Sequence, residues 1–274
     1  MKRILLLTDF SKSAVNAIDY ALHFFHKEHC EFYLMYVHRP NDFTMSELIK
    51  DPKADIYSSL LANEKEALER ACLELENTNK NPNHSFQYLI DYDDFLSAIN
   101  QVIAIKKIDI LVAGYNGASN VMEVIFGSNT LQIIRNIKKP TLVIPRDFNY
   151  KEPNSLLVPL GDDDHLNSDE FNEILNVMAS HNPRFHFLRV TKTDDPLRIK
   201  EDELKLVQFK GNYSYHYIHG VSLHDAVLTY EQVHTIDLAG VIAKKETVLQ
   251  RLMEGSSITK ISKSLFLPLL IVHH

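Results

Sequence analysis

The sequence lacks the features that would indicate a secreted, membrane or nucleic-acid-binding protein. Its 274 residues include two cysteines, Cys30 and Cys72, whose spacing forms no disulfide or metal-binding pattern. No apolar stretch approaches the roughly 20 residues that span a bilayer, and Asp9 interrupts the opening apolar run without a signal-peptide cleavage site after it. The formal net charge of −7 provides no excess of cations for nucleic acid or an anionic membrane. We therefore expect a cytoplasmic protein with two free thiols and with neither nucleic acid nor a membrane as a partner.

Alternating strands and helices account for the first 145 residues. Hydrophobic residues make up 45% of the chain and charged residues 24%, which is typical of a globular protein with a substantial core. Short apolar runs predict strands that are covered on both faces, and Ser11 is expected to cap the helix after the first strand. The strand–helix–strand order predicts parallel βαβ units. We expect strands at residues 3–8, 32–37, 85–90, 110–113 and 141–144, and helices at 14–25, 53–76, 95–106 and from 127–128 onward.

The pattern begins again after a polar, turn-rich segment at residues 146–154. Strands are expected at 155–160, 185–190, 212–218, 238–242 and 269–272, and helices at 168–179 and 223–234. An offset of 128 residues aligns the C-terminal thirds of the two halves without a gap, so that Asp109 matches Asp237 and Pro140 matches Pro268. We interpret this match as an internal duplication that gives two α/β domains, residues 1–146 and 155–274.

Three of the eight glycines lie within fourteen residues, at Gly114, Gly117 and Gly127. The stretch begins where a strand is expected to end, and ligands of open parallel sheets bind outside the carboxyl ends of the strands. Glycine lets backbone amides approach a ligand and adopt left-handed conformations, and a helix N-terminus favours an anion. The hydroxyls of Ser128 and Thr130 can donate further hydrogen bonds. The spacing therefore predicts a ligand that carries phosphate.

Asp9, at the end of the first strand, is expected to face the same crevice and to accept hydrogen bonds from a ribose hydroxyl or a base amine. The glycine stretch is not a P-loop, because no Gly-Lys-Ser/Thr follows it, and it is not a dinucleotide G-x-G-x-x-G motif. On spacing alone, the alternative that the glycines only turn a loop stays open. No nucleophile–base spacing identifies a catalytic residue. The Asp-Asp-Asp-His run at residues 162–165 is interpreted as a solvated loop and not as a metal site.

Three features together resemble the universal stress protein family in its tandem, two-domain form, over nearly the whole chain. They are the G-x2-G-x9-G-[ST] spacing, an opening strand that ends in Thr-Asp-x-Ser, and a Pro-Thr-Leu-Val-Ile-Pro strand. The resemblance implies two doubly wound, five-stranded parallel sheets of order 3-2-1-4-5, an adenine nucleotide α-hydrolase-like fold, and a pocket for ATP or AMP. Adenine and ribose contacts are implied for Thr8, Asp9, Val37 and Ala113. Phosphate contacts are implied for Gly114, Gly117, Gly127, Ser128, Asn129 and Thr130.

The first half departs from the family pattern in its lack of positive charge. Ala118 stands where family members often carry a basic residue, and no Lys or Arg occurs between Lys107 and Arg135. The phosphate charge would then be met by amides, hydroxyls and, with ATP, Mg²⁺. This composition weakens the case for tight triphosphate binding and leaves both ATP and AMP open.

The second half departs further, because its ligand-binding residues are replaced. Ile242 and Lys245 stand where the first half has glycines, and Gly161 stands in the place of Asp9. A branched side chain at Ile242 would block a close approach of the backbone to a ligand. We expect this half to bind no nucleotide in the manner of the family.

The resemblance implies a protein that binds an adenine nucleotide as a signal in a stress response, without fast turnover. Two alternatives remain: a structural or interaction module with a vestigial pocket, and an enzyme that adenylates a substrate or hydrolyses ATP slowly. The resemblance also implies that the two halves pack as an intramolecular pseudo-dimer, with residues 141–144 and 269–272 near the interface. An unidentified protein partner and a homodimer are further expectations.

Overall fold

The computed structural model describes residues 1–38, 62–115, 128–243 and 267–273. In these ranges the strands are β1 Lys2–Leu7, β2 Cys30–Val37, β3 His84–Asp91, β4 Ile110–Tyr115, β5 Thr141–Pro145, β6 Ser155–Leu160, β7 Arg184–Thr191, β8 Tyr213–His219, β9 Leu238–Ala243 and β10 Leu269–His273. The helices are α1 Lys12–Phe24, α2 Ala62–Thr78, α3 Phe95–Lys106, α4 Ser128–Asn136, α5 Asp169–Met178, α6 Pro196–Leu206 and α7 Leu223–Val233. None of these helices combines the length and the apolar character that crossing a membrane requires.

All ten of these strands belong to one sheet, whose order is β3-β2-β1-β4-β5-β10-β9-β6-β7-β8. Each half therefore has the order 3-2-1-4-5, and the predicted fold is confirmed. Neighbouring strands are parallel except β5 and β10, which pair antiparallel with Val143 opposite Leu269 and Thr141 opposite Ile271. This antiparallel pair joins the two five-stranded sheets edge to edge.

Hydrogen bonds at the matched aspartates follow the duplication seen in the sequence. The carboxylate of Asp109 accepts from the backbone N–H of Arg3 at 2.8 Å, and that of Asp237 accepts from Ser155 at 3.1 Å. In both halves the aspartate N–H in turn donates to the carbonyl of the same partner. The register of β9 with β10 repeats that of β4 with β5 at the 128-residue offset. Equivalent residues of the halves thus occupy equivalent positions in the sheet.

Side-chain caps mark the starts of several helices. Ser11 Oγ accepts from Ala14 N at 3.3 Å and caps α1, as predicted. Helix α6 was not predicted, although Asp195 at its N-cap and Pro196 in its first turn are typical start signals. For the long polar helix predicted at 53–76, the structure describes α2 from Ala62, and residues 53–61 lie outside the described ranges.

Helices cover both faces of the sheet. One large core cluster contains side chains of α1, α2, α5 and α6, whereas the clusters on the other face contain side chains of α3, α4 and α7. Two of the three clusters include residues from both halves. The hydrophobic core is therefore continuous across the junction of β5 with β10.

The segment between β5 and β6 is bonded to both halves through Glu152. Its carboxylate accepts hydrogen bonds from Lys27 Nζ at 2.8 Å, from Tyr150 OH at 2.7 Å and from His181 Nδ1 at 3.1 Å. Burial alone would raise the pKa of Glu152, but these hydrogen bonds lower it to about 2. An ionised carboxylate thus connects the C-terminal end of α1 with that of α5.

Candidate functional site

A crevice opens at the carboxyl ends of β1, β2 and β4, where the strand order of the first half reverses direction. Its volume is about 160 Å³, whereas one water molecule needs about 10–15 Å³ of such space, so a ligand much larger than water can enter. Doubly wound sheets bind their ligands at this switch point. The described lining residues are Leu7, Thr8, Asp9, Ser11, Ser13, Ala14, Met35, Val37, Phe95, Ala113, Gly114, Tyr115, Asn129, Thr130 and Ile133.

Most of the residues singled out in the sequence meet in this crevice. They come from the ends of β1, β2 and β4 and from the start of α4, and they are Thr8, Asp9, Val37, Ala113, Gly114, Asn129 and Thr130. Gly117 and Gly127 lie outside the described residues, and Ser128 is described only as the first backbone position of α4. The fold brings the seven residues together, and their contacts with a nucleotide stay a prediction.

The turn after β1 holds Asp9 through its own backbone. Asp9 Oδ1 accepts from Ser11 N at 3.0 Å, and Thr8 Oγ1 accepts from Phe10 N at 3.0 Å. Phe10 has a φ of +60°, a conformation that residues other than glycine rarely adopt. The Asp9 side chain lies at an exposed position, and a carboxylate can accept more hydrogen bonds than the one from Ser11. The turn therefore presents a positioned carboxylate with lone pairs left for a ligand.

Gly114 is required at the end of β4 for a reason that the sequence did not reveal. A Cβ at this position would lie 2.1 Å from the carbonyl oxygen of Ser13 and 2.9 Å from the backbone nitrogen of Ala14. Only glycine lets the first turn of α1 lie this close to β4. Gly114 does not adopt the left-handed conformation that glycine permits, because its φ is not positive and it continues the strand.

Thr130 connects α4 to the same strand end. Its Oγ1 donates a hydrogen bond to the carbonyl of Gly114 at 3.1 Å, and the side chain is buried. The single hydroxyl proton of Thr130 is used in this bond, and the contact of Thr130 with a phosphate stays a prediction. The bond fixes the first turn of α4 at the crevice, where the positive end of the helix dipole favours an anion.

Several lining residues were not anticipated. Ser11 was expected as a helix cap and not as a lining residue, and its hydroxyl oxygen lies 2.9 Å from that of Ser13. Ser13 and Phe95, at the start of α3, carried no recognisable signal. Met35 and Tyr115 could have been found, because alternate residues of a strand share a face and each lies two positions from a residue that was singled out. These residues add both apolar surface and hydroxyl groups to the crevice.

Charge is scarce along the described walls of the crevice. Asp9 is the one charged side chain among the described lining residues, and none of them is Lys or Arg. Burial, together with the nearby carboxylate of Glu231, raises the pKa of Tyr115, so that its phenol stays protonated. The arrangement can hold a polar ligand by hydrogen bonds and by the α4 dipole. The described walls show no nucleophile paired with a base.

The corresponding strand ends of the second half are built differently. The duplication places Gly161 and Ile242 where the first half has Asp9 and Gly114. Helix α5 begins eight residues after Gly161, whereas α1 begins three residues after Asp9. The later helix start removes the close approach that requires glycine, and the side chain of Ile242 is buried in the core.

Buried polar contacts hold the loop that follows β6. Arg189 is fully buried and donates to both carboxylate oxygens of Asp202, at 2.7 and 2.9 Å, and to the carbonyl of Gly161. Tyr215 OH also donates to Asp202, at 2.8 Å, and Asp164 accepts from the N–H of Gly161 at 2.7 Å. In the described ranges, no group of three His, Cys, Asp or Glu side chains is placed to hold a metal ion.

Comparison with solved structures supports the fold over the whole length. A universal stress protein from Archaeoglobus fulgidus DSM 4304 is similar over 99% of this chain and 98% of its own, with 16% identity and a TM-score of 0.72. A candidate universal stress protein from Pseudomonas aeruginosa UCBPP-PA14 is similar over 100% of this chain and 93% of its own, with 10% identity and a TM-score of 0.63. At these identities the similarity concerns the fold. Comparison with curated protein sequences found no match.

A model of the universal stress protein family matches residues 1–145. The matched residues contain the complete first five-stranded sheet and the crevice at its switch point. The chain belongs to the universal stress protein family.

Proposed function

We propose that the first half binds one molecule of an adenine nucleotide, ATP or AMP, and that the bound nucleotide acts as a signal in a stress response. The observation that carries this proposal is the meeting of Asp9, Gly114 and the start of α4 in one crevice at the switch point. Asp9 suits a ribose hydroxyl or a base amine, and the N-terminus of α4 suits phosphate. Val37 and Ala113 add apolar surface for a base.

Signalling requires that the nucleotide favours one conformation or one complex of the protein. A ligand shifts such an equilibrium only by its difference in affinity for the two states. Nucleotide bound here would contact the ends of three strands and the first turn of α4, and so would change the surface that a protein partner or a second copy of the chain meets. The partner and the homodimer stay predictions.

Mg²⁺ would enter with ATP instead of occupying a site of its own. The described residues provide no group of three metal ligands, and Asp9 is the one carboxylate in the described lining. Mg²⁺ is commonly held through one or two carboxylates together with substrate phosphates. The donor set therefore fits a magnesium–nucleotide complex and fits AMP without metal.

The test is calorimetric titration of the full chain with ATP, AMP, adenosine and GTP. We expect saturable binding of an adenine nucleotide, and we expect Asp9→Ala to weaken it at least about tenfold, since hydrogen bonds to a charged group contribute about 1.5–3 kcal/mol. Asp19→Ala is the matched control, because Asp19 is an exposed aspartate on α1 outside the crevice. Absence of binding, or equal binding by Asp9→Ala, would contradict the proposal and favour a vestigial pocket.

Two enzymatic alternatives have their own readouts. An adenylating enzyme would release pyrophosphate from ATP in the presence of a substrate, and a slow hydrolase would release phosphate. Neither is favoured, because no cation among the described lining residues can stabilise a transferring phosphoryl group. Measurable pyrophosphate release would shift the conclusion towards adenylation.

A further inference from the structure

The phosphate end of a nucleotide brings negative charge to a crevice that has no Lys or Arg among its described lining residues. Charge-assisted hydrogen bonds to phosphate are about twice as strong as neutral ones. A basic residue just outside this lining would therefore affect affinity. Two basic residues adjoin the lining: Lys12 lies between Ser11 and Ser13 in the chain, and the backbone of Arg146 is hydrogen-bonded to that of Tyr115.

Arg146 extends the sheet beyond the last pair of β4 and β5. Pro145 lies opposite Tyr115 in the parallel register, and the backbone N–H of Arg146 donates to the carbonyl of Tyr115 at 2.9 Å. Tyr115 is the last residue of β4 and lines the crevice. Arg146 thus lies beside the strand end that leads into the glycine stretch, although it is 31 positions away from Tyr115 in the chain.

A turn at residues 145–148 holds Arg146 in this place. Phe148 N donates to the carbonyl of Pro145 at 3.1 Å, which closes the turn. The side-chain amide of Asn16 donates to the carbonyls of Pro145 and Phe148, at 2.9 and 3.1 Å. Asn16 belongs to α1, whose first turn lines the crevice. The backbone of Arg146 is therefore fixed between the end of β4 and the start of α1.

Among the described residues, the guanidinium of Arg146 has one ion-pair partner, and that pair is weak. Its Nε lies 3.9 Å from Asp147 Oδ1, and the Asp147 side chain is 90% exposed. An ion pair of this length between exposed side chains contributes little, so the guanidinium can leave it for a ligand. Its planar set of donors matches the geometry of phosphate oxygens. Lys12, the other basic residue next to the lining, is exposed at the start of α1, and its ammonium lacks the planar set of donors of a guanidinium.

We infer that Arg146 binds the phosphate end of the nucleotide and makes the crevice select nucleotides over nucleosides. This inference rests on the proposed function. Arg146, in the segment between the two halves, supplies the positive charge that the described walls of the crevice lack. Arg146 is a specificity-determining residue in this scheme, because base and ribose contacts are made elsewhere.

The experiment is titration of the full chain and of Arg146→Gln with AMP and with adenosine at two salt concentrations. We expect the variant to bind AMP at least about tenfold more weakly, to bind adenosine as the parent does, and to lose part of the salt dependence of AMP binding. Arg146→Lys should retain more AMP affinity than Arg146→Gln, because it keeps the charge. Arg135→Gln is the matched control, as Arg135 is an exposed residue in the last turn of α4.

Three results would overturn the inference. One is an equal loss for AMP and adenosine, which indicates a general disturbance of the crevice. Another is unchanged AMP binding in Arg146→Gln. If Lys12→Gln then binds AMP more weakly, the positive charge comes from α1 instead. If the parent chain binds neither AMP nor ATP, the proposed function fails as well, and that outcome is distinct because it does not depend on the variant.

Discussion

Gly114 shows how one residue can both line the crevice and allow close packing of a helix. The change Gly114→Ala would place a methyl group 2.1 Å from the Ser13 carbonyl oxygen. The neighbouring atoms belong to backbone, so the first turn of α1 must move away from β4. Overpacking of this kind costs about 1–3 kcal/mol, and we expect that loss in the free energy of unfolding measured with urea on the full chain.

Gly161→Ala provides the matched control for Gly114→Ala. A Cβ at Gly161 would meet its nearest neighbour, Asp164 Oδ2, at 3.4 Å, which is an ordinary contact, and its φ is not in the left-handed region. We expect a change of less than about 1 kcal/mol. Equal effects of the two substitutions would show that close packing is not what requires glycine at Gly114.

At the scale of residues, the sequence predicted local chemistry better than distant contacts. The cap at Ser11 follows from one side chain and the helix next to it, and it is confirmed. The role of Gly114 depends on Ser13, about 100 positions earlier, and the bond from Thr130 depends on where α4 meets β4. Such contacts arise only when the sheet is assembled, so spacing within the glycine stretch could not reveal them.

At the scale of elements, a buried ion pair fixes the loop between β6 and α5. Asp202→Ala would leave the guanidinium of Arg189 fully buried beside the Gly161 carbonyl without its charged partner. Breaking a buried pair from one side costs about 3–5 kcal/mol. We expect a loss of this size in the free energy of unfolding, measured with urea at neutral pH.

The double variant Arg189→Met with Asp202→Leu separates charge burial from packing. Replacing a whole buried pair by apolar side chains of similar volume is often close to neutral. We therefore expect the double variant to be more stable than Asp202→Ala alone. A loss below about 1 kcal/mol in Asp202→Ala would show that water reaches Arg189 and that the pair does not hold the loop.

Glu152 gives the junction of the two halves a dependence on pH. Because its pKa is lowered to about 2 in the folded chain, its ionised form contributes stability above the ordinary glutamate pKa, near 4.5. That contribution is lost as the pH falls from there towards 2. We expect Glu152→Gln to lower the free energy of unfolding at pH 7 and to lower it less at pH 3, as measured by urea unfolding at each pH.

The exposed pair of Glu66 with Arg70 on α2 offers a comparison for Glu152. Its closest charged atoms are 3.9 Å apart and both side chains are mostly exposed. Such pairs contribute little, so Glu66→Gln should change stability little at either pH. A penalty in Glu152→Gln that stays constant from pH 7 to pH 3 would show that the carboxylate charge does not stabilise the junction.

Elements with strong hydrophobic patterns were predictable, and elements defined by polar signals were less so. All ten strands were expected within a few residues of their observed bounds. Most of them are apolar runs covered on both faces, and the two partly buried edge strands, β3 and β8, alternate polar with apolar or aromatic residues. Helix α6 was missed. Its exposed residues include Leu197 and Leu204 and its buried ones include Asp202, which weakens the periodic pattern that normally identifies a helix.

At the scale of the whole molecule, two halves of one topology have diverged in what their strand ends contain. The first half keeps a short β1–α1 turn, an exposed aspartate and a glycine at the end of β4. The second half has a longer loop after β6 and an isoleucine at the end of β9. The buried ion pair of Arg189 with Asp202 holds that loop. The duplication and its sheet order were visible in the sequence, but the internal bonds of the second half were not, because they join three separate elements.

The number of nucleotides bound by each chain tests most directly the proposal that the first half binds nucleotide and the second half does not. Native mass spectrometry of the full chain with ATP or AMP measures that number from the mass of the complex. We expect at most one nucleotide per chain in the parent protein, and a lower occupancy in Asp9→Ala at the same subsaturating nucleotide concentration. Two nucleotides per chain at saturation, or equal occupancy in Asp9→Ala, would place binding outside the first-half crevice and contradict the assignment.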